Sequence, residues 1–226
     1  MLSDMDINVK KKYDTVLFDL DGTLTDSSSG IINSIKYALT ELGREFPDRE
    51  TFQKFLGPPL IYSFRNFCGF DDELANQAVK LYRQRYDKYC DVENALYDGI
   101  CDTLEMLCSA GKRLIVATSK PDVYAKRIVS HFDLDRYFDA VCGATLDESR
   151  NTKTLVIRYA LESCNVTDLE HTLMVGDRKH DVEGAAAVGI DSMGVLYGYG
   201  DLIELKTAGA VYIAATVSDI ADIILL

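Results

Sequence analysis

The chain has 226 residues, 47% of them hydrophobic, enough to fill one large domain or a core carrying a modest insertion. Thirty-six acidic against 24 basic residues leave a formal charge of -12 and an isoelectric point near 4.7, which argues against a broad electrostatic grip on nucleic acid polymer or anionic membrane. A small anion held by a local site stays open.

The N-terminal stretch MLSDMDINVKKKYD lacks the apolar run of a secretory signal, and nothing downstream is apolar for the roughly 18 residues a membrane helix needs. A soluble, cytoplasmic protein is expected. The first strand is expected over Thr15 to Phe18, and the stretch it opens, VLFDLDGTLTD, crowds Asp19, Asp21 and Asp26 at its tip. Like charges this close raise one another's pKa and need a cation or a proton. Asp19 and Asp21 are two apart, so in extended chain they point into one crevice, where one carboxylate can attack and the other handle a proton. Gly22 lets the chain turn away. The competing reading at this point is an ordinary acidic turn, since Asp-Gly is a common turn signal.

From Ser27 to Ala95 the periodicity is helical, with Ile31, Ile35, Ala38 and Leu42 on one face and Leu74, Ala78, Leu81 and Tyr82 on another. A helical domain over 27–95 is expected, inserted into a core made of 1–26 and 96–226 and lying over the carboxyl end of the first strand, where open α/β sheets place their sites. Within it Gly57, Pro58 and Pro59 suit a rigid loop facing the site, with a helix beginning at Pro59. Arg65, two turns on, is a candidate for an anionic group, weighed against an ordinary surface arginine. Tyr82, Tyr86 and Tyr89 follow helical spacing and read as packing rather than as a stacking platform.

Beyond residue 96 short apolar runs alternate with helical patterns. Strands are expected at Leu114 to Ala117, Ala140 to Cys142, Leu173 to Val175, Met193 to Leu196 and Val211 to Ile213. The fold class is α/β, a Rossmann-like three-layer core with a parallel sheet, plus the inserted helical domain. Thr118 and Ser119 close a strand where hydroxyl and backbone amides can hold phosphate oxygens near a helix start. Lys153 stands ahead of an amphipathic helix and can supply positive charge. In MVGDRKHD, Asp177 and Asp181 share one side of a beginning helical turn. With Asp19 they form a hard oxygen site of the kind Mg2+ prefers; His180 reads as a neighbour of that site rather than a ligand. Six cysteines, with no CxxC or finger spacing, read as reduced core thiols.

DLDGTLTD, LIVATSKP, Lys153 and GDRKHD, in this order, resemble the four motifs of the haloacid dehalogenase superfamily of phosphohydrolases. LGPPL and GVLYGYG resemble its phosphoglycolate phosphatase-like, 5'-nucleotidase-like branch. The resemblance implies Asp19 as nucleophile forming an aspartyl-phosphate and Asp21 as acid and base. It implies Mg2+ on the carboxylates of Asp19, Asp177 and Asp181 and the backbone carbonyl of Asp21, with Thr118, Ser119 and Lys153 on the phosphoryl group. Ser119 departs from the family's common asparagine. Asp21 is absent from the dehalogenases proper, so phosphate rather than halide chemistry is implied. The expected function is a Mg2+-dependent phosphatase acting on a small phosphorylated metabolite, phosphoglycolate or a nucleoside monophosphate, as a monomer or homodimer. The alternatives are a sugar phosphomutase and a non-enzymatic phospho-acceptor or binding module. The cap would select the substrate through Gly57, Pro58 and Arg65.

Overall fold

A computed structural model of the chain describes residues 12–147 and 149–226; the N-terminal stretch considered above lies outside the described residues up to position 11, as does position 148. Strand β1 (Thr15–Phe18) is buried along its whole length. It forms the middle of a six-stranded sheet with β4 (Arg113–Pro121), β5 (Ala140–Ala144), β6 (Thr172–Gly176), β7 (Asp191–Val195) and β8 (Tyr212–Ala214), in the order β5-β4-β1-β6-β7-β8. Every pairing is parallel, with Phe18 opposite both Val116 and Val175. Parallel pairing requires crossovers, and helices supply them on both faces.

Successive strand residues point to opposite faces, and the core divides accordingly. Leu17, Ile115 and Met174 pack under α7 (Lys153–Ser163) and α8 (Lys179–Val188), against Val156, Ile157, Ala160 and Ala185. Val16, Phe18, Val116 and Val175 face α5 (Ile100–Ser109), α6 (Asp122–His131) and α10 (Val217–Leu225), through Leu104, Ile128 and Ile220. A short α9 (Leu202–Ala208) lies between β7 and β8.

Four helices, α1 (Ser28–Glu41), α2 (Arg49–Lys54), α3 (Leu60–Cys68) and α4 (Asp72–Tyr89), stand between β2 (Thr25–Asp26) and β3 (Ala95–Leu96). These two-residue strands pair antiparallel, so the chain leaves and re-enters the core through one ribbon. Asp48 and Asp71 cap α2 and α4, accepting from the amides of Thr51 and Leu74 at 2.7 and 2.9 Å. Pro59 sits one position before α3 as its N-cap, so the helix starts at Leu60. The apolar cluster of the sheet runs without a break through Leu20 and Leu24 into Ile35, Phe55 and Phe64 of the inserted helices. No helix among the described residues is long and apolar enough to cross a membrane, and all six cysteines are free thiols.

Candidate active site

The site is assembled where β1, β4 and β6 end. The Asp19 amide donates to the Val175 carbonyl at 2.9 Å, which extends the β1–β6 ladder by one residue and aims the carboxylate out of the sheet. Beyond it Leu24 and Thr25 each donate to the Leu20 carbonyl at 2.9 Å, and Gly22, at φ 81°, donates to the Thr25 carbonyl at 2.7 Å. This knot holds Asp19 and Asp21 on a tight turn. A side chain at Gly22 would run into the Asp177 carboxylate.

Asp19, Asp177 and Asp181 are all buried, and each offers a carboxylate oxygen within 4.8 Å of the others. Lys153, the first residue of α7, brings its Nζ to 2.8 Å from Asp19 Oδ1 and 2.7 Å from Asp181 Oδ1, and donates to the Ala117 carbonyl at 3.2 Å. Burial alone would lower the Lys153 pKa, but the Asp181 and Asp19 charges outweigh it and hold the amine protonated, above its ordinary value. Asp19 Oδ1 also accepts the Leu20 amide at 2.7 Å. Asp177 is clamped by the Tyr199 amide at 2.8 Å, and Asp181 accepts the Arg178 amide at 3.0 Å. Burial, and after it the charges of Asp181 and Asp19, push Asp177 well above the carboxylate range. Burial likewise raises Asp181 to about 6, against the pull of Lys153. One ammonium therefore leaves the three carboxylates short of positive charge. An all-oxygen, buried and under-neutralised cluster fits a hard divalent cation such as Mg2+.

Asp21 faces a different partner. Its Oδ2 lies 2.8 Å from Lys120 Nζ, and the same ammonium donates to the Tyr86 hydroxyl of α4. Asp21 Oδ1 is buried with no hydrogen-bond partner among the described residues.

Asp19, Asp21, Thr118, Ser119, Lys153 and Asp181 line one cavity of about 680 Å3, roofed by the inserted helices through Gly57, Pro58, Tyr82 and Tyr86. Asp177 lies fully buried next to it. Arg65 is not brought to the site: it makes a half-exposed ion pair with Asp72 at 2.5 Å, because α3 buries Ser63 and Phe64 and so turns the next side chain outward. Tyr82 and Tyr86 are buried, stacked at 5.2 Å and part of the cavity wall, whereas Tyr89 is exposed. His180 lines the cavity outside the carboxylate cluster. Lys120 was missed by sequence reasoning. The available signal was strand alternation, since Thr118 and Lys120 are buried on either side of an exposed Ser119.

The family model described as haloacid dehalogenase-like hydrolase matches residues 16–195 of this chain, from the first strand through β7. The chain belongs to the haloacid dehalogenase-like hydrolase family. It is a phosphatase of that family. A 5'-nucleotidase of Pseudomonas aeruginosa is 45% identical over 86% of this chain and 88% of its own length. The tyrosine-protein kinase PtkA of Mycobacterium tuberculosis is 41% identical, covering 92% of this chain and 71% of its own. A phosphoglycolate phosphatase of Colwellia psychrerythraea is 29% identical over 84% of this chain and 87% of its own. Among solved structures, a predicted phosphatase from Clostridium acetobutylicum superposes with a TM-score of 0.88 at 46% identity, over 95% of this chain and 99% of that one. That superposition shows that the Clostridium acetobutylicum protein shares the fold described above.

Proposed function

We propose that this chain is a Mg2+-dependent phosphatase that hydrolyses a small phosphate monoester, of the phosphoglycolate or nucleoside monophosphate class, through an aspartyl-phosphate on Asp19. The observation that carries this reading is the pairing, in one cavity, of an under-neutralised carboxylate cluster holding Asp19 with a second aspartate, Asp21, that has a buried oxygen free of any described partner.

An Asp19 carboxylate oxygen attacks phosphorus, the bond from phosphorus to the leaving oxygen breaks, and Asp21 gives its proton to that oxygen. Water then attacks the aspartyl-phosphate while Asp21 takes up the water proton, which releases phosphate and restores the Asp19 carboxylate. Asp19, Asp177 and Asp181, with the Asp21 carbonyl, would hold Mg2+, which when bound offsets phosphoryl charge. Lys153 keeps the Asp19 carboxylate oriented and adds positive charge beside the transferring group. Thr118 and the Ser119 amide hold phosphoryl oxygens. Residues 27–95 act as a cap on a core of 1–26 and 96–226, and Gly57 and Pro58 shape the leaving-group side of the cavity. A cytoplasmic location and a monomer or homodimer complete the reading.

Support for the nucleotide class comes from the 5'-nucleotidase relative and from a cavity walled by Tyr82, Tyr86 and Tyr124. The test is phosphate release from phosphoglycolate, nucleoside monophosphates and sugar phosphates, with Mg2+ and with EDTA. Mg2+-dependent release from one class, abolished by Asp19→Asn, is expected; Asp19→Asn with unchanged turnover sinks the nucleophile assignment. The kinase name of one relative makes transfer from ATP to a tyrosine peptide the competing outcome, seen as phosphopeptide in place of free phosphate.

A further inference from the structure

We propose that Lys120 is a positioning residue for Asp21, held in place by Tyr86 of the inserted helices, so that the acid–base carboxylate is correctly aimed only while α4 is seated on the core. The inference rests on the phosphatase reading above and concerns Lys120, to which that reading gives no role.

Lys120 is 8% exposed, and a buried ammonium is costly unless it is paired. Its two side-chain partners come from different parts of the chain: Asp21 from the turn after β1, at 2.8 Å, and the Tyr86 hydroxyl from α4. Its backbone is fixed too, because the Lys120 amide donates to Thr118 Oγ1 at 3.2 Å. Tyr86 is itself immobilised by stacking on Tyr82 and by an edge contact with Tyr124 at 5.4 Å. A rigid phenol therefore fixes a lysine that fixes a carboxylate.

The division of oxygens matters for the chemistry. Lys120 takes Asp21 Oδ2 and leaves Oδ1 buried, unpartnered among the described residues and on a cavity-lining side chain. An aspartate without this ion pair rotates freely about its terminal torsion and shares its oxygens between the cavity and its surroundings. With the pair, the carboxylate is held in one orientation, so the face it presents to the leaving group and the attacking water is fixed. Lys153 does the corresponding work for Asp19. The two lysines divide the two aspartates between them, and only the Lys120 arm reaches into the inserted helices.

The test compares Lys120→Met and Tyr86→Phe with the wild type on p-nitrophenyl phosphate, whose leaving group needs no acid, and on the alkyl phosphate that the wild type turns over fastest. The quantity read is kcat/KM, which reports steps only through loss of the leaving group. Lys120→Met is expected to lower kcat/KM roughly 10- to 100-fold on the alkyl ester, short of the roughly 100- to 10,000-fold that general acid catalysis supplies because Asp21 itself remains, and less than about threefold on the aryl ester. Tyr86→Phe, which keeps the ion pair and the ring, should shift the ratio in the same direction by a smaller factor. In an Asp21→Ala background Lys120→Met should cost nothing further. Equal losses on both esters, or a further loss in the Asp21→Ala background, overturn the positioning role while leaving the phosphatase intact. No phosphate release by the wild type from any ester overturns the phosphatase reading, and the inference with it.

Discussion

A methyl group added at Gly198 would collide with the Gly22 carbonyl and the Asp177 side chain at once, and neither is the flexible end of a long chain. Next to it the Tyr199 amide clamps Asp177 Oδ2 at 2.8 Å, so the loop after β7 serves as the outer wall of the carboxylate cluster. Gly198→Ala is therefore expected to weaken Mg2+ binding by more than about tenfold, with roughly 1–3 kcal/mol lost from stability as the overpacked loop moves away. Isothermal titration with Mg2+ and thermal unfolding of the metal-free protein measure the two parts; unchanged affinity would show that the loop does not define the cluster. At this scale the carboxylates were readable in the sequence, because charge crowded at the ends of apolar runs has few structural explanations. Lys120 and the Tyr199 amide were not. A lysine is most often solvated, and a backbone donor leaves no trace in residue identity.

Element boundaries were legible where burial imposes a period. The six strands of the sheet lie on the expected apolar runs, although β4 continues past Ala117 to Pro121, and helices stand among them as the alternating pattern requires. The strands β2 and β3 have two residues each and exist only because they meet each other, so no local pattern marks them. The same ribbon is braced by an ion pair that spacing alone does not reveal. Near the end of α4 Arg85 makes a two-pronged contact with Glu93, Nη1 to Oε2 and Nη2 to Oε1, both at 2.6 Å, and Asn33 of α1 donates to Glu93 at 3.2 Å. The Arg85 hydrogen bonds are the largest influence on Glu93 and outweigh partial burial, lowering its pKa from the ordinary value of 4.5. A carboxyl whose folded pKa is depressed contributes stability that is fully present above the unfolded value and is lost as pH falls through the folded one. The Glu93 contribution is thus expected intact at pH 6 and to disappear on acidification below about 4.5. Glu93→Gln should lower the melting temperature at pH 6 and leave it closer to wild type at pH 3. Equal destabilisation at both pH values would mean that the side chain acts by packing and not by charge.

In the whole molecule, the question is what keeps the inserted helices over the cavity. Continuous apolar packing from the sheet into Ile35, Phe55 and Phe64 supplies most of the adhesion, and it is undirected. Polar contacts supply the register: beside the Lys120–Tyr86 contact and the Arg127–Asp91 ion pair at 3.0 Å, two lie next to the carboxylate cluster. One is the Tyr199 hydroxyl, which accepts the Ser27 amide at 2.9 Å and donates to Asp26 Oδ1 at 3.0 Å, pinning the outgoing strand of the ribbon to the wall of the carboxylate cluster. The other is Arg178, between Asp177 and the start of α8: it donates through Nε to Glu204 at 2.8 Å and through Nη1 to the Leu56 carbonyl, just ahead of Gly57 and Pro58. Gly57, at φ 109°, lies against that guanidinium, and a side chain there would displace it. The loop that roofs the cavity is thus tied to the segment that carries two of the cluster carboxylates. A charge-assisted hydrogen bond of this kind is worth roughly 1.5–3 kcal/mol, enough to shift a closed-to-open ratio by about tenfold or more. Arg178→Met keeps the backbone amide that holds Asp181 and removes the ties to Leu56 and Glu204, together with a positive charge that acts on Asp177. If the tie holds the roof closed, KM should rise by about that factor while Mg2+ affinity stays within about twofold and kcat on bound substrate falls less. A loss confined to kcat, or a parallel loss of Mg2+ binding, would place Arg178 in the carboxylate cluster and leave the roof to the apolar packing and the other polar contacts.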